Sequence, residues 1–162
     1  MCLKKRLYIF DADGTLRETI SDNSHPPYTD TDWRLLPGRE PKIKKLVQDP
    51  NVFIGVASNQ AAIGRGKLTE AMAYHLLYQM MAMATGRKDL GGAVLKLCPH
   101  KPENMRCDCR KPKTGMLVAI MAHFGVTPQE TVLIGDMTSD RQAAINAGCS
   151  FMWAESFFAR KK

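Results

Sequence analysis

No apolar run in this chain approaches the roughly eighteen residues that a membrane-spanning helix needs, and the opening MCLKKRLYIFD has too short an apolar segment for a secretory leader. A cytoplasmic protein is therefore the default expectation. Internal repeats and low-complexity linkers are missing too, which leaves 162 residues, 1–162, to fold as one domain around one sizeable core. A disulfide framework is also lacking: the cysteines number five, and three of them crowd with a histidine into CPHKPENMRCDCRKP, residues 98 to 112. Metal binding in a reduced compartment suits that pattern better. Cys2 and Cys149 stand apart and read as inert.

An excess of one charge is absent from the body of the chain. The formal net charge is +7, yet Lys4, Lys5, Arg6, Arg160, Lys161 and Lys162, all at the two ends, account for six of the seven. A basic end is more commonly a solvated tail than a binding surface, so charge alone does not make this a nucleic-acid protein. Hydrophobic residues at 44% and charged residues at 24% describe an ordinary globular chain.

What is present is an alternation of two periods. LYIF (7 to 10), VFIGVA (52 to 57), AVLKLC (93 to 98), TVLIG (131 to 135) and the weaker SFMWA (150 to 154) read as buried strands. Between them, residues 37 to 48, 69 to 85, 114 to 125 and 139 to 148 read as helices, with Thr69, Thr114 and Ser139 as N-caps and Gly86, Gly125 and Gly148 as stops. Strict alternation predicts an α/β fold, a parallel sheet of about five strands covered by helices on both faces. Met72, Met80, Met81 and Met83, with Leu76 and Leu77, read as a core stripe. His75 and His123 read as packing or surface residues. The polar segment 17 to 36, which contains His25, reads as a long loop of the kind that is functional or mobile.

The polar residues gather where the strands end. The first strand runs into DADGTL, whose two carboxylates two residues apart, before a turn glycine, call for a cation; magnesium, a hard ion that takes carboxylate and phosphate oxygens, fits. The second strand ends in ASNQ (57 to 60), the third leads through the cysteine loop to RKP (110 to 112), and the fourth ends in GDMTSD (135 to 140). In an open parallel sheet all four lie at the carboxyl edge, where ligands bind. Alone, Ser58 could be a cap, Lys111 a surface lysine and Asp140 a first-turn dipole partner. Together they set a hydroxyl, an ammonium and further carboxylates around the first pair.

These motifs, in this order, resemble the haloacid dehalogenase superfamily of phosphatases over nearly the whole chain. CPH followed by CDCRKP is similar to its capless, zinc-containing branch, which includes heptose bisphosphate and histidinol-phosphate phosphatases, and SNQAAIGRGKLTEA (58 to 71) is closer to the heptose side. The resemblance implies that Asp11 is the nucleophile, that Asp13 is the acid and base, and that Ser58 and Lys111 hold phosphoryl oxygens. It further implies magnesium held by Asp11, the Asp13 carbonyl and Asp136, with Asp140 orienting that shell. Asn59, Arg110 and Arg65 are the expected substrate contacts, the arginines meeting a second anionic group. Cys98, His100, Cys107 and Cys109 form a Cys3His set, which fills a tetrahedral zinc and leaves no place for water, so the zinc is expected to be structural and to fix where Lys111 points.

The expected substrate is a small phosphorylated metabolite, a sugar phosphate or bisphosphate first, and the protein is expected to act as a monomer without membrane. Met137 departs from the lysine common at that place in the heptose branch, and the segment from Arg17 to Gly38 is longer than usual there. Histidinol phosphate, or a nucleic-acid 3′-phosphate read by the basic ends, is an alternative substrate. A non-catalytic zinc-stabilised interaction domain is the reading from another class. It gives no reason to bring Asp11, Asp13, Ser58, Lys111 and Asp136 together.

Overall fold

A computed structural model describes residues 4–159; Cys2 and the basic residues Arg160, Lys161 and Lys162 lie outside the described residues. Along the chain come β1 (Arg6–Phe10), β2 (Arg17–Thr19), β3 (Trp33–Leu35), α1 (Arg39–Leu46), β4 (Val52–Asn59), α2 (Ala61–Gly64), α3 (Glu70–Thr85), β5 (Val94–Cys98), α4 (Gly115–Phe124), β6 (Thr131–Gly135), α5 (Thr138–Ala147), β7 (Ser150–Trp153) and α6 (Ala154–Phe158). Five of the strands make a parallel sheet in the order β5-β4-β1-β6-β7. After β1 the chain builds outward through β4 and β5, then returns to the other side of β1 as β6. The carboxyl end of β1 is thus a switch point, with a crevice between the loops that leave β4 and β6.

Each strand is apolar because both faces of the sheet are covered. Leu7 and Ile9 of β1 pack with Met116, Leu117 and Ile120 of α4 and with Ala143 and Ala144 of α5. Phe10 faces the opposite side, against Leu76, Leu77 and Met80 of α3, Ile43 of α1 and the Phe157–Phe158 pair of α6. Gly86, Gly125 and Gly148 end α3, α4 and α5 in the left-handed conformation, with φ of 68°, 59° and 74°. No helix among the described residues is long and apolar enough to cross a membrane.

Four local expectations are corrected. Segment 17 to 36 is not wholly a loop: β2 and β3 pair antiparallel, with Arg17 opposite Leu35 and Thr19 opposite Trp33. Strands of three residues are too short to display an alternating period. Ser139 does not cap α5, which starts a residue earlier; the cap is Met137, whose N–H donates to the Asp140 carboxylate at 3.1 Å. Thr69 caps α3 by accepting the Met72 N–H at 3.1 Å, but the Thr114 hydroxyl makes no such bond at α4. The α3 stripe is narrower than its methionines suggest: Met80 and Met81 are buried, while Met72 and Met83 are 37% and 52% exposed. His75 pairs at the surface with Asp30 at 3.1 Å, and His123 stands edge-on to Phe124.

Gly55 lies mid-strand in β4 because α4 passes directly over it: a Cβ there would meet Ile120 Cγ2 at 2.6 Å. Ile120 is β-branched and fully buried, so it cannot swing aside. Gly55→Ala is expected to lower stability by about 1–3 kcal/mol through overpacking, read as a fall in the urea midpoint. An unchanged midpoint would contradict this contact.

Candidate active site

Asp11 is the first residue past β1, and its N–H donates to the Ile134 carbonyl of β6 at 2.9 Å. The chain then turns sharply, with Leu16 and Arg17 both donating to the Ala12 carbonyl, at 2.8 and 3.1 Å. Gly14 makes the turn possible with φ of +84°, and a Cβ there would collide with the Asp136 carboxylate. Thr15 donates to that same carboxylate at 3.1 Å, tying the loop after β1 to the loop after β6.

The electrostatic centre is Lys111, which is 3% exposed. Its ammonium reaches Asp11 Oδ1 at 2.7 Å, Asp140 Oδ1 at 2.7 Å and the Ala57 carbonyl at 2.6 Å. An ammonium has three hydrogens, and all three are used. Burial works against the Lys111 charge, but Asp11 and Asp140 outweigh it, so its pKa stands above the usual lysine value. Asp11 is also shifted upward, which for a carboxyl favours the neutral form. Burial pushes its carboxyl well above the usual range; Lys111 opposes that shift, and Asp140 and Asp136 add to it. Asp11, Asp136 and Asp140 bring oxygens within 4.8 Å of one another, and two of the three carboxylates, Asp11 and Asp140, pair with the ammonium.

Asn59, expected as a substrate contact, lines the cleft and also serves Lys111. Its amide clamps the Lys111 backbone, donating to the carbonyl at 3.1 Å and accepting the N–H at 3.0 Å, so the end of β4 holds the lysine in register. Ser58 is 1% exposed and accepts from Gln60 Nε2 at 2.7 Å. The same nitrogen donates to Asp13 Oδ2 at 2.8 Å, while Arg17 Nε reaches Asp13 Oδ1 at 2.8 Å. Gln60 and Arg17 were both missed by the sequence reading. The only signal was position: Gln60 follows Ser58 and Asn59, and Arg17 is a charge inside TLRET that nothing marks as buried.

These groups line a cleft of about 470 Å³. Asp11, Asp13, Ser58, Asn59, Lys111, Asp136 and Asp140 form its floor, and Arg110 and Met137 also line it. Asn23, Ser24, His25 and Pro26, between β2 and β3, complete its wall. His25 stacks on Tyr28 with ring centroids 4.5 Å apart, and its Nδ1 lies 2.7 Å from the Pro26 carbonyl. Arg65 is not among the lining residues; it is exposed at the end of α2.

Beside the cleft, Cys98, His100, Cys107 and Cys109 bring their ligand atoms within 4.8 Å of one another. His100 Nδ1 faces the group, 3.5 Å from the Cys98 sulfur and 3.3 Å from that of Cys109. Burial, reinforced by the neighbouring thiols, pushes the Cys98 thiol up to about 12. A cation beside it would favour the thiolate, and three sulfurs with one imidazole nitrogen are the donors a four-coordinate divalent ion such as zinc takes. Arg110 donates to the His100 carbonyl at 3.2 Å, and Lys113 donates to the carbonyls of Met105 and Cys107, so the loop is tied to the RKP segment that carries Lys111.

The HAD-hydrolase-like family model matches residues 108–156. The D-glycero-β-D-manno-heptose-1,7-bisphosphate 7-phosphatase of Pseudomonas putida is 34% identical over 149 residues, covering 88% of this chain and 78% of the relative. The enzyme of the same name from Haemophilus ducreyi is 30% identical over 151 residues, covering 89% and 79%. Among solved structures, the D,D-heptose 1,7-bisphosphate phosphatase of B. bronchiseptica, complexed with magnesium and phosphate, superposes with a TM-score of 0.73 at 28% identity, covering 90% of this chain and 78% of that one.

Removing the central cation is expected to be costly for the fold. Lys111→Met leaves Asp11 and Asp140 buried without their partner, a change expected to destabilise by about 3–5 kcal/mol. Adding Asp140→Asn to that variant should recover part of the loss. Chemical denaturation of the three proteins checks this; a Lys111→Met protein as stable as the parent would contradict the central role of the ammonium.

Proposed function

The chain belongs to the haloacid dehalogenase-like phosphatases, and from that premise we propose that it hydrolyses a small phosphorylated sugar, a sugar bisphosphate first, through an aspartyl-phosphate on Asp11. One observation carries this reading: a buried carboxylate at the switch point, held 2.7 Å from a buried ammonium and crowded by two further carboxylates. Three carboxylates against one ammonium leave an excess of negative charge in a place lined by hard oxygen donors, which fits magnesium. Asp11, Asp136 and the Asp13 carbonyl would hold the ion. When bound it supplies neutralising charge for the phosphoryl oxygens. Asp140, whose oxygens already serve Lys111 and the Met137 N–H, fixes the lysine and the start of α5.

The chain's own residues then divide the reaction. An Asp11 oxygen forms a bond to phosphorus as the bond to the leaving oxygen breaks, and Asp13 gives that oxygen its proton. Water next attacks the acyl phosphate, Asp13 takes its proton, and inorganic phosphate leaves with Asp11 restored. Ser58 and Lys111 line the same cleft as Asp11; the Ser58 hydroxyl and one Lys111 hydrogen, turned from its present carboxylate acceptors toward the substrate, would hold the equatorial oxygens of the transferring group. Arg110 lines the cleft and is the cation placed to meet a second anionic group. The relatives' names point to a heptose bisphosphate; Met137 at the rim offers an apolar contact in place of a charge.

The neighbouring Cys3His group is assigned a structural zinc. Four protein donors close a tetrahedral site, so the ion orders residues 98 to 109 and does no chemistry. Because Arg110 and Lys111 follow directly, its loss would loosen the clamp that Asn59 makes on the lysine.

Two outcomes are expected. In a phosphate-release assay across sugar monophosphates, sugar bisphosphates, histidinol phosphate and 3′-phosphorylated oligonucleotides, with magnesium, a sugar phosphate should be preferred. Asp11→Asn should abolish turnover, and Asp13→Asn should reduce it by roughly a hundredfold or more. Near-normal rates in either variant would remove the proposed roles. For zinc, metal analysis should find close to one ion per chain, lost in Cys107→Ser together with thermal stability and turnover. Full stability and activity in metal-free protein would overturn the assignment.

A further inference from the structure

Asp13 is gripped from below by two side chains that no motif announced. Its carboxylate is 29% exposed at the cleft floor, whereas Arg17, which reaches Oδ1 at 2.8 Å, is 1% exposed. Arg17 cannot drift, because its carbonyl accepts the Gly14 N–H at 2.8 Å and its own N–H donates to Ala12. The residue therefore folds back onto the turn that carries Asp13. From the other side comes Gln60, also 1% exposed, anchored by its N–H on the Cys98 carbonyl at 2.8 Å. Its Nε2 has two hydrogens: one goes to Asp13 Oδ2 at 2.8 Å, the other to Ser58 Oγ at 2.7 Å.

The grip leaves two side-chain atoms without a protein partner. Gln60 Oε1 and Arg17 Nη1 are both buried without a hydrogen-bond partner. Buried polar atoms are nearly always paired, because an unpaired one forfeits its hydration without return. Two such atoms on the two residues that hold Asp13 are poorly explained by stability. Compromises of this kind are expected where geometry is kept for a reaction.

We propose that Gln60 and Arg17 are positioning residues that fix the Asp13 carboxylate against the leaving oxygen of the substrate, with Gln60 also setting its spacing from Ser58. The inference rests on the phosphatase reading above. With one oxygen held by each partner, Asp13 cannot rotate about its side-chain bonds, and each oxygen keeps lone-pair capacity for the proton it handles. The proton donor and the hydroxyl beside the phosphoryl group are then tied through a single amide nitrogen. When the phosphorus–oxygen bond breaks, its electron pair goes to the leaving oxygen and the proton comes from Asp13. An alkoxide leaving group needs that proton as it departs. A 4-nitrophenolate does not, because its ring carries the charge.

The test uses that difference. kcat/KM is compared on 4-nitrophenyl phosphate and on the alkyl phosphate that the wild type hydrolyses fastest, for wild type, Gln60→Leu, Arg17→Lys and Asp13→Asn. This constant reports events up to the departure of the leaving group. A positioned acid contributes roughly 10²–10⁴-fold, so the loss in Gln60→Leu should be about tenfold or more larger on the alkyl ester than on the aryl ester. Arg17→Lys should shift the same way, since a lysine cannot repeat the Nε contact, and Asp13→Asn should set the upper limit. Melting temperatures show that the compared proteins are folded; should Arg17→Lys unfold, Gln60→Leu decides alone. Equal losses on both esters, or no loss, would overturn the positioning role. Failure of the wild type to hydrolyse either ester would instead overturn the phosphatase reading.

Discussion

One buried ammonium holds the site together. Lys111 satisfies Asp11 from the end of β1, the Ala57 carbonyl from β4 and Asp140 from α5, so three segments far apart in the sequence converge on one nitrogen. Each carboxylate alone would be costly to bury, and so would the lysine. The group is tolerable only as a set, and the set is complete only when 11, 57, 111 and 140 are all in place. It requires the parallel order in which β1 lies between β4 and β6.

The same requirement explains the devices around it. Gly14 lets the first loop pass the Asp136 carboxylate, Asn59 clamps the lysine backbone, and the Cys3His loop supplies the stretch from which the lysine departs. That loop is exposed over residues 101 to 106, so apolar packing contributes little to its order. Closing it around a metal offers an alternative source of order, in keeping with how such sites stabilise short segments elsewhere. The result is a hydrogen-bonded floor beneath a cleft that the segment between β2 and β3 walls on one side.

Much of this arrangement was legible in the sequence, for a physical reason. Strands buried on both faces must be apolar along their length, so LYIF and TVLIG announce themselves, and whatever polar residues follow them must lie at the sheet edge. The helices between them carry clear stops at Gly86, Gly125 and Gly148. What was hidden depends on contacts distant in sequence. The β2–β3 pair is too short for a period, and its partner residues lie sixteen apart between Glu18 and Arg34. Arg17 looks like any exposed charge until the fold buries it. Asn59 and Arg65 sit near the same motif, but of the two only Asn59 lines the cleft, a difference that spacing along the chain does not reveal. Met72 and Met83 shared a spacing with the core stripe yet fall beyond its edge.

The proposed chemistry depends on an Asp11 carboxylate oxygen taking the phosphoryl group. Borohydride added during turnover reduces an acyl phosphate, converting the aspartate that carries it to homoserine. The protein is then digested, and the peptide spanning residues 7 to 17 is read by mass spectrometry. The account predicts homoserine at position 11, only when magnesium and a substrate are present. Steady substrate turnover with position 11 unmodified, or with the modification on another residue, would contradict it.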